Sequence, residues 1–315
     1  MGEESNIRKW DELIPDALGL IFKNLSFVEV LTVVPRVCKS WGKTVAGPYC
    51  WQEIDLEEWS KNRNPEIIDR MLRLLISRSG GSPRKLTVSG ITNDQSILLI
   101  ANHAQSLHTL CLTRSSITDS ITETISSKLS ALSSLDLSYC NNLGAPALES
   151  IGKSCKSLTT LKRVMHPLEV ISMHSQEDEA RAIATTMPKL EHLEMAYMLV
   201  TTSSVLEILR NCKRLTLLDI RGCWNVDLDE RVVKRFGGKL KVLGPDMVGC
   251  HEAGEWEWDD WSDESGGYLA WDFVAGDLDG DDDYYAEEVA AAFWEEEGDG
   301  ADANSKLVNG KGIYF

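Results

Sequence analysis

The side chains able to do covalent or metal chemistry are few, and their spacing is wrong for it. The cysteines are Cys38, Cys50, Cys111, Cys140, Cys155, Cys212, Cys223 and Cys250. No two of them form the Cys-x-x-Cys pair that zinc sites and dithiol redox centres use. Scattered through a chain that is 43% hydrophobic, they predict small apolar core residues in a reducing compartment. His166 and His174 lie close in sequence, yet no serine or cysteine stands at a spacing from them that suggests an activated nucleophile. Asp277, Asp279, Asp281, Asp283 and Glu288 fall at positions 1, 3, 5, 7 and 12 of a calcium loop. Position 6, where an EF-hand requires glycine, is Asp282. The sequence therefore predicts no catalytic residue, no metal site and no cofactor, and function must rest on surfaces.

The elements that build those surfaces announce themselves by repetition. The phrase Leu-x-x-Leu-x-(Leu/Ile/Met) occurs at Leu107-Leu110-Leu112, Leu132-Leu135-Leu137, Leu190-Leu193-Met195 and Leu215-Leu218-Ile220. Leu158-Leu161 and Leu240-Leu243 are incomplete copies, and the steps between first leucines are 25, 26, 32, 25 and 25 residues. A period near 25 residues predicts a leucine-rich-repeat solenoid. In each unit a short strand turns two leucines inward and a helical segment follows, at 119–128, 145–153, 176–186, 203–211 and 229–236. One strand and one helix cannot bury their own apolar face, whereas stacked units cover one another. Recurring cysteines (Cys140, Cys155, Cys212, Cys223) resemble the cysteine-containing class of these repeats. Arg163, at a core position of the 32-residue unit, predicts an insertion or distorted turn over 163–176.

Residues 10–56 read as a separate helical unit. Leu13-Ile14-Pro15-Asp16-Ala17-Leu18-x-x-Ile21-Phe22-x-x-Leu25, then Val37-Cys38-Lys39-Ser40-Trp41 and Trp51, resemble an F-box, with Ile14 inserted where the family usually has Leu-Pro adjacent. Asp16 is a candidate cap for a first helix, followed by helices near 27–33 and 36–45. The resemblance implies a plant-type F-box and leucine-rich-repeat protein. It implies binding to a Skp-type adaptor and, through it, to cullin and RING subunits of a ubiquitin ligase, with the chain as a non-catalytic substrate receptor directing a protein target to degradation. A non-degradative adaptor-binding scaffold is the alternative. Carried over residue by residue, Leu13, Ile14, Pro15, Leu18, Ile21, Phe22, Leu25, Leu31, Val34, Val37, Cys38 and Trp41 would supply the adaptor face and the small core behind it.

The fold class predicted is thus an α/β solenoid: a three-helix F-box over 10–56, a connecting and capping helix region over 57–81, a short curved array of about six to seven strand–helix units over 82–247, and an acidic tail over 248–315 whose like charge predicts that it is mostly disordered. Strand residues between the inward leucines should form a concave face. Cys111, Asp136, Lys162, Glu194 and Asp219 make its central row, with His192 and Arg221 beside it, and these are the candidate substrate contacts. The net charge of −17 belongs to the tail: residues 252–315 carry 20 acidic and two basic side chains. The body is close to neutral and lacks the basic stripe that nucleic acids demand. The tail also holds Trp256, Trp258, Trp261, Trp271 and Trp294. Spaced indoles among acidic residues resemble linear motifs such as Argonaute-binding hooks, although no Gly-Trp or Trp-Gly pair occurs here; docking back on the last repeat is the other reading. No secretory signal pattern and no apolar run near the roughly 20 residues of a membrane helix is visible, so a nuclear or cytoplasmic location is expected.

Overall fold

The computed structural model describes residues 10–245 apart from 62, 82, 168–174, 237 and 238. They form two compact units that divide between Ala46 and Gly47.

The first unit is helical. α1 (Pro15–Phe22) starts on Pro15 at its first position, after an extended Ile14; the proline ring fixes the backbone angle the helix needs and removes an N–H that would be unpaired there anyway. Asp16 sits in the first turn and is not the cap, so the sequence expectation for it is corrected. α2 (Phe27–Thr32) opens with a reciprocal capping box: the Glu29 amide donates to Ser26 Oγ at 3.2 Å and the Ser26 amide donates to Glu29 Oε2 at 2.9 Å. A 3-10 turn at Val34–Arg36 leads to α3 (Lys39–Ala46). Leu18, Phe22, Val30, Leu31, Val34 and Val45 are buried, and Phe22 meets the Trp41 ring edge-on at 5.0 Å.

The second unit is one parallel sheet whose eight strands lie in chain order: β1 (Glu53–Asp55), β2 (Lys85–Ser89), β3 (Thr109–Thr113), β4 (Ser134–Asp136), β5 (Thr160–Lys162), β6 (His192–Glu194), β7 (Leu217–Asp219) and β8 (Lys241–Leu243). Ile54, Leu86, Leu110, Leu135, Leu161, Leu193, Leu218 and Val242 share one register line, and all but Val242 are fully buried. Crossovers run through α4 (Glu57–Ser60) and α5 (Pro65–Arg78), then α6 (Asp94–Asn102), α7 (Asp119–Ile125), α8 (Ala145–Ser154), α9 (Glu177–Thr186), α10 (Thr202–Asn211) and α11 (Glu230–Arg235).

Two sequence boundaries shift. The strand β1 lies in residues grouped with the helical unit; the seven strands β2 to β8 fall within 82–247, where six to seven units were expected, and β1 is an eighth before them. Its unit carries Trp51 and Ile54 where the phrase has leucine, with Leu56 third, all three buried. The capping helix is consequently the crossover from β1 to β2. Its ends are as read: the Asn64 side chain accepts from the Glu66 amide, and Gly80 and Gly81 stop it in left-handed conformations.

Cysteines stitch neighbouring units. The thiols of Cys140, Cys155, Cys212 and Cys223 donate to the carbonyls of Leu112, Leu129, Met187 and Met195. Burial pushes Cys140, Cys155 and Cys212 up to about 11, and Cys223 to about 12. A thiol that stays protonated is a poor nucleophile. Iodoacetamide applied to the folded chain at pH 8 is therefore expected to spare these four while modifying the half-buried Cys38; peptide mass mapping before and after unfolding checks it.

Gly152 marks the closest helix contact. A Cβ there would lie 2.0 Å from Thr186 Oγ1, 2.6 Å from Thr186 Cβ and 3.0 Å from Met187 Cγ. Gly152→Ala should destabilise the fold by about 1–3 kcal/mol through overpacking between α8 and α9. Thr186→Ala added to it should restore part of the loss in a urea titration.

The repeat path is kept around Arg163, and most of the insertion or distorted turn expected over 163–176 falls on 168–174, outside the described residues. Arg163 takes the place held by Leu112, Leu137, Met195 and Ile220 elsewhere. Its amide donates to the Glu194 carbonyl at 2.7 Å, and Met165 N donates to the Ala196 carbonyl at 3.0 Å, so the repeat path continues through residue 165. The side chain is 1% exposed. It is paired with Glu179 at 2.9 Å and donates to the carbonyls of Leu137, Cys140 and Leu143. A charge replaces a leucine here because α9 supplies its counter-charge.

Candidate interaction surfaces

Among the described residues no group of three or more His, Cys, Asp or Glu side chains could hold a metal ion, and no helix is long and apolar enough to cross a membrane. What the described residues offer is two surfaces.

The first is on the helical unit. Of the large apolar side chains that stand exposed among the described residues, all but Trp224 lie between Trp10 and Val37: Trp10, Ile14, Leu20, Ile21, Leu25, Val28, Val33 and Val37. Ile14 and Leu20 are each 65% exposed, and an apolar group of that size in water marks a contact surface when its neighbours are apolar too. Of the twelve candidate residues, Ile14, Pro15, Ile21, Leu25 and Val37 are exposed, and Leu13, Cys38 and Trp41 are half-buried. Leu18, Phe22, Leu31 and Val34 are core and can act only through the shape they support. Sequence reading missed Trp10, Leu20, Val28 and Val33. Their signal was helices apolar on more than one face, which a single small core cannot cover.

The second surface is the open face of the sheet. Strand register places Asp55, Thr87, Cys111, Asp136, Lys162, Glu194, Asp219 and Leu243 in one row. The five candidate residues of the central row are therefore neighbours, strand by strand, about 4.8 Å apart. Lys162 Nζ lies 3.1 Å from Glu194 Oε1. Burial of Lys162 lowers its affinity for a proton, but Glu194 and then Asp136 more than offset this, so its pKa is raised and it stays a cation. Asp219, nearly buried, is gripped by Arg221 at 2.6 Å and accepts from the Arg221 amide. Asp136 accepts from the Ser138 amide at 2.9 Å. Burial and the Asp136 carboxylate hold the Cys111 thiol up. His192 is exposed in the flanking row.

Sequence reading missed the row one step beyond. Four residues after the second leucine of a unit stand Gly90, Arg114, Tyr139, Tyr197 and Gly222, all with positive φ. Each donates its amide to the next unit, Arg114 to Ser138 O, Tyr139 to Val164 O and Tyr197 to Arg221 O. Glycine is the unstrained residue there; a tyrosine is an outlier, and such outliers gather at functional sites. The side chains stack: Arg114 lies over the Tyr139 ring at 5.2 Å, Tyr139 meets His166 edge-on at 6.3 Å, and the Tyr197 ring lies so close over Gly222 that a Cβ there would be 2.3 Å from it. Gly90 and Gly222 at one repeat position were the available signal. His166 thus belongs to an aromatic strip. His174, most of the 163–176 segment, and the tail tryptophans Trp256, Trp258, Trp261, Trp271 and Trp294 lie outside the described residues.

Comparison with known proteins agrees with this two-part plan. The chain is 50% identical over 302 residues to F-box protein FBW2 of Arabidopsis thaliana, covering 91% of this chain and 95% of that one. It is 32% identical over 245 residues to F-box protein SKIP19 of the same plant, covering 77% and 78%. It is 32% identical over 247 residues to an Arabidopsis F-box/LRR-repeat protein, number 23, covering 76% of this chain and 54% of that longer one. No family model matches the chain.

Proposed function

The chain belongs to the F-box protein family, and on that premise we propose that it is the substrate-recognition subunit of a ubiquitin ligase built on a Skp-type adaptor, a cullin and a RING subunit, acting in the nucleus or cytoplasm. The helical unit binds the adaptor. The observation that carries this reading is the run of exposed apolar side chains confined to Trp10–Val37. Desolvating such a patch at roughly 25 cal/mol per Å² is what a stable partner contact requires.

The open sheet face takes the target protein. Its central row offers paired charges, and the strip Arg114, Tyr139, His166 and Tyr197 offers the arginine and aromatic groups that dominate protein contacts. The receptor does no covalent chemistry; it raises the concentration of target lysines near the conjugating enzyme by tethering. Argonaute-like proteins are one target class compatible with the acidic, indole-bearing tail.

The test is a lifetime. Proteins captured by the full chain under proteasome inhibition should disappear faster when the chain is overexpressed without the inhibitor. Captured proteins whose half-lives stay constant would make the chain an adaptor-binding scaffold.

A further inference from the structure

Because the parallel strands lie in chain order, the turns that lead into them fall along one edge of the sheet. The turns into β5, β6, β7 and β8, residues 153–160, 186–192, 210–217 and 235–241, hold nine Lys or Arg side chains against one acidic residue, Glu191. The turns into β3 and β4, residues 102–109 and 127–134, hold one cation between them, Lys128. The near-neutral charge of the body therefore hides a basic stripe. Its cations stand a repeat apart in sequence, and the sheet brings them together at the strand spacing of about 4.8 Å.

All nine are exposed. Helix C-termini attract cations through their dipoles, and two of the nine are taken up at the end of α8. Lys156 Nζ donates to the Gly152 carbonyl at 3.0 Å, and Lys153 pairs with Glu149 at 2.7 Å. The dipole does not account for the others. α6 has no basic residue in its last turn, and Gln105, Ser106, Ser130 and Ala131 stand in earlier units where Lys189, Lys213 and Arg214 stand later. On the strands themselves Lys85 and Lys162 have counter-charges, Asp55 and Glu194. None of the other seven cations of the stripe is paired with a carboxylate among the described residues. Like charges gathered this way repel one another, and an anion brought from outside relieves them.

We propose that this edge of the sheet, from β5 to β8, binds a short acidic segment of a partner protein, its carboxylates against the exposed cations. The length fits. Three strand spacings make about 14 Å, which about five extended residues span. Nucleic acid fits less well. No exposed Phe, Tyr or Trp stands among the described residues of these turns, so bases have nothing to stack on; the exposed Trp224 follows its strand and lies at the opposite edge. A long polyanion would also run past the stripe into a chain of net charge −17. The inference goes beyond the receptor reading and does not depend on it: the contact is the same whether or not the bound protein is then degraded.

The test titrates full-length chain into a fluorescein-labelled hexapeptide of alternating Asp and Glu, followed by anisotropy. The peptide should bind at about 50 mM salt, and about 500 mM salt should weaken it at least ten-fold. Lys189→Glu with Lys213→Glu and Arg214→Glu, all at exposed positions, should also weaken it at least ten-fold. Arg73→Glu with Arg84→Glu and Lys128→Glu makes the same change in net charge at exposed positions outside these four turns, and should leave the affinity within two-fold. Equal loss from the two variants, no binding by the unaltered chain, or tighter binding of a hexauridylate RNA than of the hexapeptide would each overturn the proposal.

Discussion

Arg163→Met is expected to destabilise the repeat unit by about 3–5 kcal/mol, although methionine matches the apolar residues that other units place there. The variant removes one half of a buried ion pair. Glu179 would remain in the core, where burial already holds its carboxyl above the usual carboxylate range and Arg163 pulls it back down. The carbonyls of Cys140 and Leu143, which accept from the guanidinium at 3.0 and 2.8 Å, would lose a donor as well, and each unsatisfied buried group costs about 1–3 kcal/mol. Glu179→Leu alone should be similarly damaging, since it strands the cation. Combined, Arg163→Met with Glu179→Leu should recover much of the loss, because the pair and its desolvation disappear together. Urea unfolding of the four proteins measures the cycle. If the double variant is as unstable as the sum of the singles, the pair is not acting as a unit.

Ile14→Asp with Val37→Asp is expected to lower capture of a Skp-type adaptor at least a hundred-fold, about 2.7 kcal/mol in binding free energy, while leaving the unfolding of the repeat unit where it was. Both side chains are more than half exposed, so charge placed there meets water in the free protein and is desolvated only in the complex. Leu18→Ala would be a poorer test. Leu18 is fully buried, and its truncation removes core from a unit of three short helices, costing about 2–5 kcal/mol of stability. Lost capture would then report unfolding. Circular dichroism and capture measured on the same samples separate the two causes.

Much of this architecture is legible in the residues because periodicity is a direct readout of burial. Leu110, Leu135, Leu193 and Leu218 fall on one buried line, as a 25-residue period demands. Asn64-Pro65 and Gly80-Gly81 bound a helix for local steric reasons that tertiary context did not override. What escaped reading depends on partners distant in sequence. The β1 unit carries Trp51 and Ile54 where the other units carry leucine, and the strand exists because β2 pairs with it. Arg163 looks like a break in the pattern until Glu179, on the following helix, is seen to neutralise it. The left-handed row is invisible to a search for apolar periodicity, since Arg114 and Tyr139 stand where the backbone favours glycine. On the helical unit the motif named the right segment but mixed its core with its surface: Leu18 and Phe22 support, whereas Ile14 and Val37 face solvent, as do Leu20 and Val33, which the motif does not mention. The capping box of Ser26 and Glu29 was readable from the Ser-x-x-Glu spacing and went unread.

The claim that one end of this chain grips an adaptor while the sheet serves another partner is tested most directly by calorimetric titration of the full chain with a purified Skp-type adaptor, comparing two surface variants. Unaltered chain should bind one adaptor per chain. Asp136→Lys with Lys162→Glu, on the open sheet face, should bind it with the same affinity, and Ile14→Asp with Val37→Asp should not bind measurably. Equal loss from both variants, or full binding by the Ile14 and Val37 variant, would contradict the account.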